Sequence, residues 1–143
     1  MINIINIISK FMYIFLNMYA IMFKKKARWS FLTHTIDIKI YNNAELVLVN
    51  RDIECKYIID NLLEYKDDYG IHIINLIDNI YKKSSNTEQM IIDFNKNNCQ
   101  IKTSDGYELS FDIKSNIEKN KDKIVLEYIF DKEQIRIIID MKE

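Results

Sequence analysis

From residue 35 onward, apolar and polar residues alternate over short stretches that are separated by turn-forming residues. Ile36, Ile38 and Ile40 alternate with polar neighbours, and this period of two places them on one face of a strand. The pair Asn42-Asn43 follows and favours a turn, because asparagine tolerates positive φ. Residues 45–49 then read as a second, nearly all-apolar strand, so 35–49 is predicted to be a β-hairpin.

The same alternation returns in the second half of the chain. Strands are predicted over residues 99–102, 107–113, 123–130 and 134–141, with a turn at Ser104-Asp105-Gly106 and a polar connection over residues 116–122. Residues 84–96 are ambiguous, because Ser85 and Glu88 have the spacing of a helix capping box while residues 89–94 also fit a strand. We favour the strand, so the C-terminal half is predicted to be an antiparallel meander.

Between these two parts, apolar residues recur with the period of an α-helix. Gly70 separates two such stretches and is expected to end or bend the first. The fold is therefore predicted to be α+β: an antiparallel sheet of about six to seven strands with two amphipathic helices on one face. The apolar faces consist of Cys55, Ile58, Ile59, Leu62 and Leu63 in the first helix, and of Ile73, Ile74, Ile77, Ile80 and Tyr81 in the second.

The first 23 residues are strongly apolar and are followed directly by the basic run KKKAR. We divide the chain into an apolar helix with a basic end over residues 1–28 and a single α+β domain over residues 29–143. Three interpretations of the first segment are open. It is a membrane anchor that holds the domain on the cytoplasmic side, although Lys10 opposes this; or its apolar surface packs against the domain or a partner; or translation starts at Met22.

Charge is distributed unevenly along the chain. Residues 1–28 carry five basic and no acidic side chains, which leaves 15 basic and 21 acidic side chains, a net charge of −6, for residues 29–143. An acidic body repels nucleic-acid phosphate, so a nucleic-acid partner is not expected. With 29 Ile, 15 Asn and 17 Lys against three Arg and no Pro, the composition is typical of an AT-rich genome. Two widely spaced cysteines indicate a reduced compartment and a cytoplasmic protein.

The strongest catalytic hypothesis comes from Asp-x-Lys, which occurs three times on predicted strands, beginning at Asp37, Asp112 and Asp140. A spacing of two puts the carboxylate and the ammonium on one strand face, where they could serve a divalent metal and an attacking water. Glu108 shares the face of Asp112, so the candidate metal ligands are Glu108, Asp112 and Asp140. Alternating polar faces in a chain rich in Lys and Asp produce the same pattern without any site. No cofactor is expected, because the scattered His34, Cys55, His72 and Cys99 lack metal-ligand spacing.

The best candidate for a recognition surface is the acidic and aromatic stretch that joins the two predicted helices, namely Glu64, Tyr65, Asp67, Asp68 and Tyr69. Tyrosine offers apolar area with a polar tip, and carboxylates favour a basic partner. We therefore expect a small non-catalytic protein-binding module of the immunity-protein, inhibitor or adaptor type that acts through an acidic surface. The alternatives are a metal-dependent hydrolase that uses the Asp-x-Lys strands, and a membrane-tethered accessory protein.

Overall fold

A computed structural model of the chain describes residues 10–16, 34–58 and 61–142. The chain divides into two units, Met1–Leu32 and Thr33–Glu143, which are treated separately. In the first unit, residues 10–16 form a helix. Within the described part of the chain, no helix has the length and apolar character needed to cross a bilayer. The described helix over residues 10–16 therefore does not support the predicted membrane anchor in residues 1–23, of which residues 1–9 and 17–23 lie outside the described residues.

The second unit is built from antiparallel strands. Eleven strands follow one another along the chain and join neighbours in a single sheet. Their bounds are β1 His34–Asn42, β2 Glu45–Ile58, β3 Leu62–Asp67, β4 Gly70–Asn75, β5 Ile80–Ser84, β6 Glu88–Asp93, β7 Asn98–Thr103, β8 Glu108–Asp112, β9 Lys114–Asn120, β10 Lys123–Phe130 and β11 Glu133–Lys142.

The order of strands makes the sheet curl until it nearly closes. The hydrogen-bonded order is β8-β7-β6-β5-β4-β3-β2-β1-β11-β10-β9, so the two strands at its ends are separated in the chain by Ile113 alone. The first part of residues 108–120 pairs with β7 and the second part with β10. Asn97 reinforces this junction: its carbonyl accepts the Ile113 N–H at 2.9 Å, and its side-chain oxygen accepts the Ser115 hydroxyl at 2.8 Å and the Ser115 N–H at 3.2 Å.

The core lies on the inner face of this curled sheet. Every second residue of a strand points inward, and isoleucine is the commonest of the core side chains, as its β-branch suits the pleated surface. The side chains with the least exposure come from strands all round the sheet, which makes the core one continuous cluster: Ile36, Ile38, Leu63, Ile74, Tyr81, Ile92, Cys99, Ile124, Leu126 and Ile139.

The prediction of an α+β fold with two helices and six to seven strands is wrong. The first predicted helix is occupied by the end of β2 and by β3, and the second by β4 and β5. The predicted connection over residues 116–122 is also wrong, because most of it belongs to β9. The strands predicted at 35–40, 45–49, 89–94, 99–102, 107–113, 123–130 and 134–141 are present as β1, β2, β6, β7, β8, β10 and β11.

The turns between β3 and β4 and between β4 and β5 explain why residues with a helical period form strands. Asn75 accepts the N–H groups of Ile77 and Asp78 with its side-chain oxygen, both at 3.0 Å, and Asn79 then adopts φ of 55°, which together reverse the chain between β4 and β5. Gly70, at φ of 134°, follows the short turn between β3 and β4, and a Cβ there would collide with the carbonyl oxygen of Ser84. Apolar residues on the two sides of each turn lie a few positions apart in the sequence, which is also the spacing of residues on one face of a helix.

Candidate functional site

A chain of polar side chains lies inside the sheet where β3, β4 and β5 are neighbours. The imidazole of His72, which is 4% exposed, has its Nε2 at 2.8 Å from Oδ1 of Asp67 and its Nδ1 at 2.7 Å from the hydroxyl of Tyr81. The register sets this arrangement, because Tyr65 pairs with His72 and Ile74 pairs with Tyr81. Inward-facing positions of three consecutive strands thus meet.

The protonation state of this chain follows from its partners. A carboxylate only accepts hydrogen bonds, so Nε2 of His72 carries a proton and donates it to Asp67. In the neutral ring Nδ1 is then an acceptor, and it receives the hydroxyl proton of Tyr81. Asp67 Oδ1 also accepts the backbone N–H of Tyr69 at 2.9 Å. One carboxylate oxygen therefore links the buried histidine to the turn between β3 and β4.

Burial is the main cause of the shifted pKa values of these side chains. It lowers the pKa of His72 below the ordinary value of 6.5; Lys83 acts in the same direction and Asp67 opposes both. It raises the pKa of Tyr65, whose ring stacks on that of His72 at a centroid distance of 4.4 Å. It raises the pKa of Tyr81 well above its usual range, and the pKa of Tyr128 to about 12. All these groups are consequently neutral near pH 7, and the carboxylate of Asp67 faces them.

Hydrogen bonds join the carboxylate of Asp67, the imidazole of His72 and the hydroxyl of Tyr81 in that order, which is the arrangement used in nucleophilic catalysis. Two observations oppose that use. Tyr81 is 2% exposed, so a substrate cannot approach its oxygen, and its raised pKa makes the phenolate inaccessible. The polar atoms of His72 are also both occupied by protein partners. The arrangement instead cross-links three strands in the interior.

The residues predicted to form an acidic recognition surface are divided between two environments. Tyr65 is 4% exposed and faces the core, and the side chain of Asp67 is 6% exposed and bonded to His72. Tyr69 is exposed in the turn between β3 and β4, where Lys83 lies over its ring. Asp68 is exposed beside it, and Glu64 is half-buried on β3. The five residues therefore do not form one continuous exposed surface.

The residues predicted as alternative metal ligands lie far apart in the strand order. Glu108 and Asp112 belong to β8, and Glu108 pairs with Lys102 at 3.3 Å. Asp140 belongs to β11, where Lys123 lies 3.7 Å away. Strands β8 and β11 are not neighbours in the sheet. Among the described residues, no three His, Cys, Asp or Glu side chains are grouped so that they could hold a metal ion.

The two thiols are buried structural groups. Cys55 donates to the carbonyl oxygen of His34 at 3.3 Å, and burial raises its pKa to about 11. Burial also raises the pKa of Cys99. Since the thiolate is the nucleophile and the metal ligand, neither position is activated for such chemistry.

A second feature is the first part of β2, which we call the β2 overhang (residues 45–54). Strand β2 runs from Glu45 to Ile58, but β3 pairs only with residues 55–58. Among the described strands, the overhang pairs with β1 alone, so its other side presents backbone N–H and C=O groups. Leu46, Val47 and Val49 are 47%, 57% and 39% exposed along it.

Two irregularities shape the β2 overhang. The register with β1 shifts between Ile40 and Tyr41, and again between Ile36 and Ile38, as expected for β-bulges. At the second shift Asp52 adopts φ of 55° and donates its backbone N–H to Oδ1 of Asp37 at 2.9 Å. Lys142 binds both carboxylates, at 3.0 Å from Asp37 and 2.8 Å from Asp52. These contacts fix the bend in the strand, and they join Asp37 of one Asp-x-Lys motif to Lys142 of another.

The predictions from the sequence include neither the buried hydrogen-bonded chain of Asp67, His72 and Tyr81 nor the β2 overhang. The sequence marks His72 only as one of four scattered His and Cys residues, whereas the two-residue turn Asp68-Tyr69 gives it the inward parity of Tyr65. The signal is present in the sequence, since the stretch Asp67-Asp68-Tyr69-Gly70 combines the Asp and Gly residues that favour turns. The overhang depends on where β3 ends, at Asp67, and so on the length of β3 relative to β2. No protein-family model, no curated protein and no solved structure matches the chain.

Proposed function

We propose that this protein is a non-catalytic protein-binding module and that its binding surface is the β2 overhang. The observation that carries the proposal is the coincidence, on one short segment, of open backbone hydrogen-bonding groups and three exposed apolar side chains, Leu46, Val47 and Val49. Exposed apolar side chains beside an open strand edge are typical of interaction sites.

Charge supports a basic partner. The sequence from residue 29 onward carries a net charge of −6, which attracts a basic protein at long range. Within the β2 overhang, Glu45 and Glu54 are exposed and have no ion pair among the described residues, while Arg51 supplies one positive charge. Asp68, in the adjacent turn between β3 and β4, is exposed as well.

Photo-crosslinking tests the proposal. A benzophenone amino acid is placed at position 46 of the full chain and, as a matched control, at position 77, since Ile77 is 68% exposed in the turn between β4 and β5. We expect one protein of the source cells to crosslink at position 46 and not at 77. That protein is then purified, and its affinity is measured by calorimetry.

The decisive comparison uses two equivalent substitutions. Val47→Asp is expected to weaken the reconstituted complex at least about tenfold, because it places a charge in the apolar contact. Ile77→Asp makes the same chemical change at a similarly exposed position and should leave the affinity within about twofold. Equal affinities of the two variants, or equal crosslinking at the two positions, would contradict the proposal.

A further inference from the structure

We infer that the occupant of the β2 overhang is a flexible, extended segment of the partner with alternating apolar and basic residues, which adds to the sheet as a further strand beside β2. This inference rests on the proposed function and specifies its partner. It follows from the space beside the overhang, from the bulges in β2 and from the charges along it.

The space beside the overhang has the dimensions of one short strand. Extending the observed pairing of Cys55 with Tyr65 by two residues brings Ile53 opposite Asp67, where β3 ends. The turn Asp68-Tyr69 therefore closes the space at one side, and residues 45–52 line it. At about 3.3 Å per residue, eight residues span about 26 Å. An incoming strand would continue the line of β3 beyond its turn.

The bulges select a flexible occupant. Two register shifts bend the overhang, and Lys142 holds the second bend by binding Asp37 and Asp52. Bulged edges resist pairing with another rigid edge, because two bent strands do not stay in register. A second copy of this chain would present the same bent edge. A segment without fixed structure adapts its twist to the bend, as in recognition by strand addition.

The exposed side chains define the pattern of the segment. Leu46 and Val49 offer apolar contacts, and Glu45 stands at the end of the overhang away from β3. A strand whose apolar residues meet Leu46 and Val49, and whose lysine reaches Glu45, satisfies both requirements, and its positive charge suits the net charge of −6 from residue 29 onward. Cross-strand apolar and opposite-charge pairs are the ordinary units of sheet stabilisation.

The test uses synthetic peptides and the full chain labelled with ¹⁵N. The probe is an eight-residue peptide of alternating Val and Lys, blocked at both ends. Two matched controls are the same peptide N-methylated at alternate amides, which cannot form the ladder, and a peptide with Glu in place of Lys. Amide hydrogen exchange and chemical shifts report the binding position.

We expect the Val-Lys peptide to slow exchange of alternate amides in residues 45–52 and to bind at least about tenfold more tightly than either control. Val47→Asp should abolish this protection, and Ile77→Asp should leave it unchanged. Equal binding of the N-methylated peptide, changes confined to other residues, or no binding at millimolar peptide would each overturn the inference.

A second copy is the competing occupant, and sedimentation equilibrium distinguishes it. A dimer whose formation protects the same amides without peptide would overturn the inference. If the peptide fails while a crosslinked partner still depends on Val47, strand addition is wrong and the proposed function stands. If peptide binding is observed but no crosslinked partner depends on Val47, the proposed function fails instead.

Discussion

Replacing Tyr81 with phenylalanine tests the hydrogen-bonded chain inside the sheet. The substitution removes one hydroxyl and keeps the ring that packs at 2% exposure. It leaves Nδ1 of His72, an acceptor in a ring that is 4% exposed, without the donor at 2.7 Å. A buried acceptor left unpaired costs about 1–3 kcal/mol. We therefore expect the free energy of unfolding to fall by about that amount.

The expected change is large enough to measure by urea denaturation and by melting. For the unit Thr33–Glu143, an unfolding entropy of about 2.1 cal/mol/K per residue converts this loss to a fall of roughly 4–13 °C in melting temperature. Tyr107→Phe is the matched control, since Tyr107 is 72% exposed and its loss of a hydroxyl should change stability by less than about 0.5 kcal/mol. Indistinguishable losses in the two variants would refute the hydrogen bond to His72.

Three further predictions concern stability. Asn97→Ala removes the acceptor of two Ser115 donors at the exposed junction of β8 and β9, and should cost about 0.5–1.5 kcal/mol in urea denaturation, while Asn97→Asp, which keeps the acceptor oxygen, should lose less. The pKa of His72 is lowered in the folded state, so the unfolded state binds more protons below about pH 6.5. The free energy of unfolding should therefore fall as the pH drops below about 6.5 and level off above it. His72→Gln should flatten that part of the pH profile. Gly70→Ala should destabilise by more than 1 kcal/mol, roughly, since its Cβ meets Ser84, and a melting temperature equal to that of the wild type would contradict this.

The strands with strict alternation could be predicted from the sequence because their inward residues are isoleucines with polar neighbours. In β1, Ile36 and Ile38 are at most 1% exposed, while Asp37 between them forms an ion pair on the other face. A pattern of this kind has one interpretation. The same holds for β11, where Ile137 and Ile139 point inward.

The helical prediction failed where inward positions are polar. In β3 and β4 the residues facing the core include Tyr65, Asp67 and His72, so an alternation of apolar and polar residues does not mark the inner face. Adjacent isoleucines such as Ile73 and Ile74 then fit the period of a helix better than that of a strand. The buried hydrogen-bonded side chains of the candidate site are therefore also the reason that β3 and β4 were not predicted. Their hydrogen bonds join different strands, so the sequence of a single strand does not show that these polar residues are buried.

Asparagine and aspartate carry the structural role that glycine usually has in hairpins. The chain has two Gly, and among the described residues positive φ also occurs at Ala44 and at five Asn or Asp residues, namely Asn43, Asp52, Asn79, Asn97 and Asp131. Their side chains tolerate this conformation and bond to nearby backbone groups. The abundance of asparagine is typical of an AT-rich genome. The abundance has a second consequence: a chain almost without glycine can still form a meander of short strands, provided that turns fall where an Asn or Asp stands.

This dependence on turns also explains the β2 overhang. Asp52 bends β2 without ending it, so the strand continues past the point where β3 can accompany it. A regular β2 would either pair along its whole length or end near residue 52. Among the described strands, residues 45–54 pair with β1 on one side and with no strand on the other, and Lys142 holds the bend through Asp37 and Asp52. The open edge thus begins where β3 turns after Asp67, and the bulge at Asp52 sets its bend, so a substitution that straightens Asp52 should alter binding at the overhang before it alters the core.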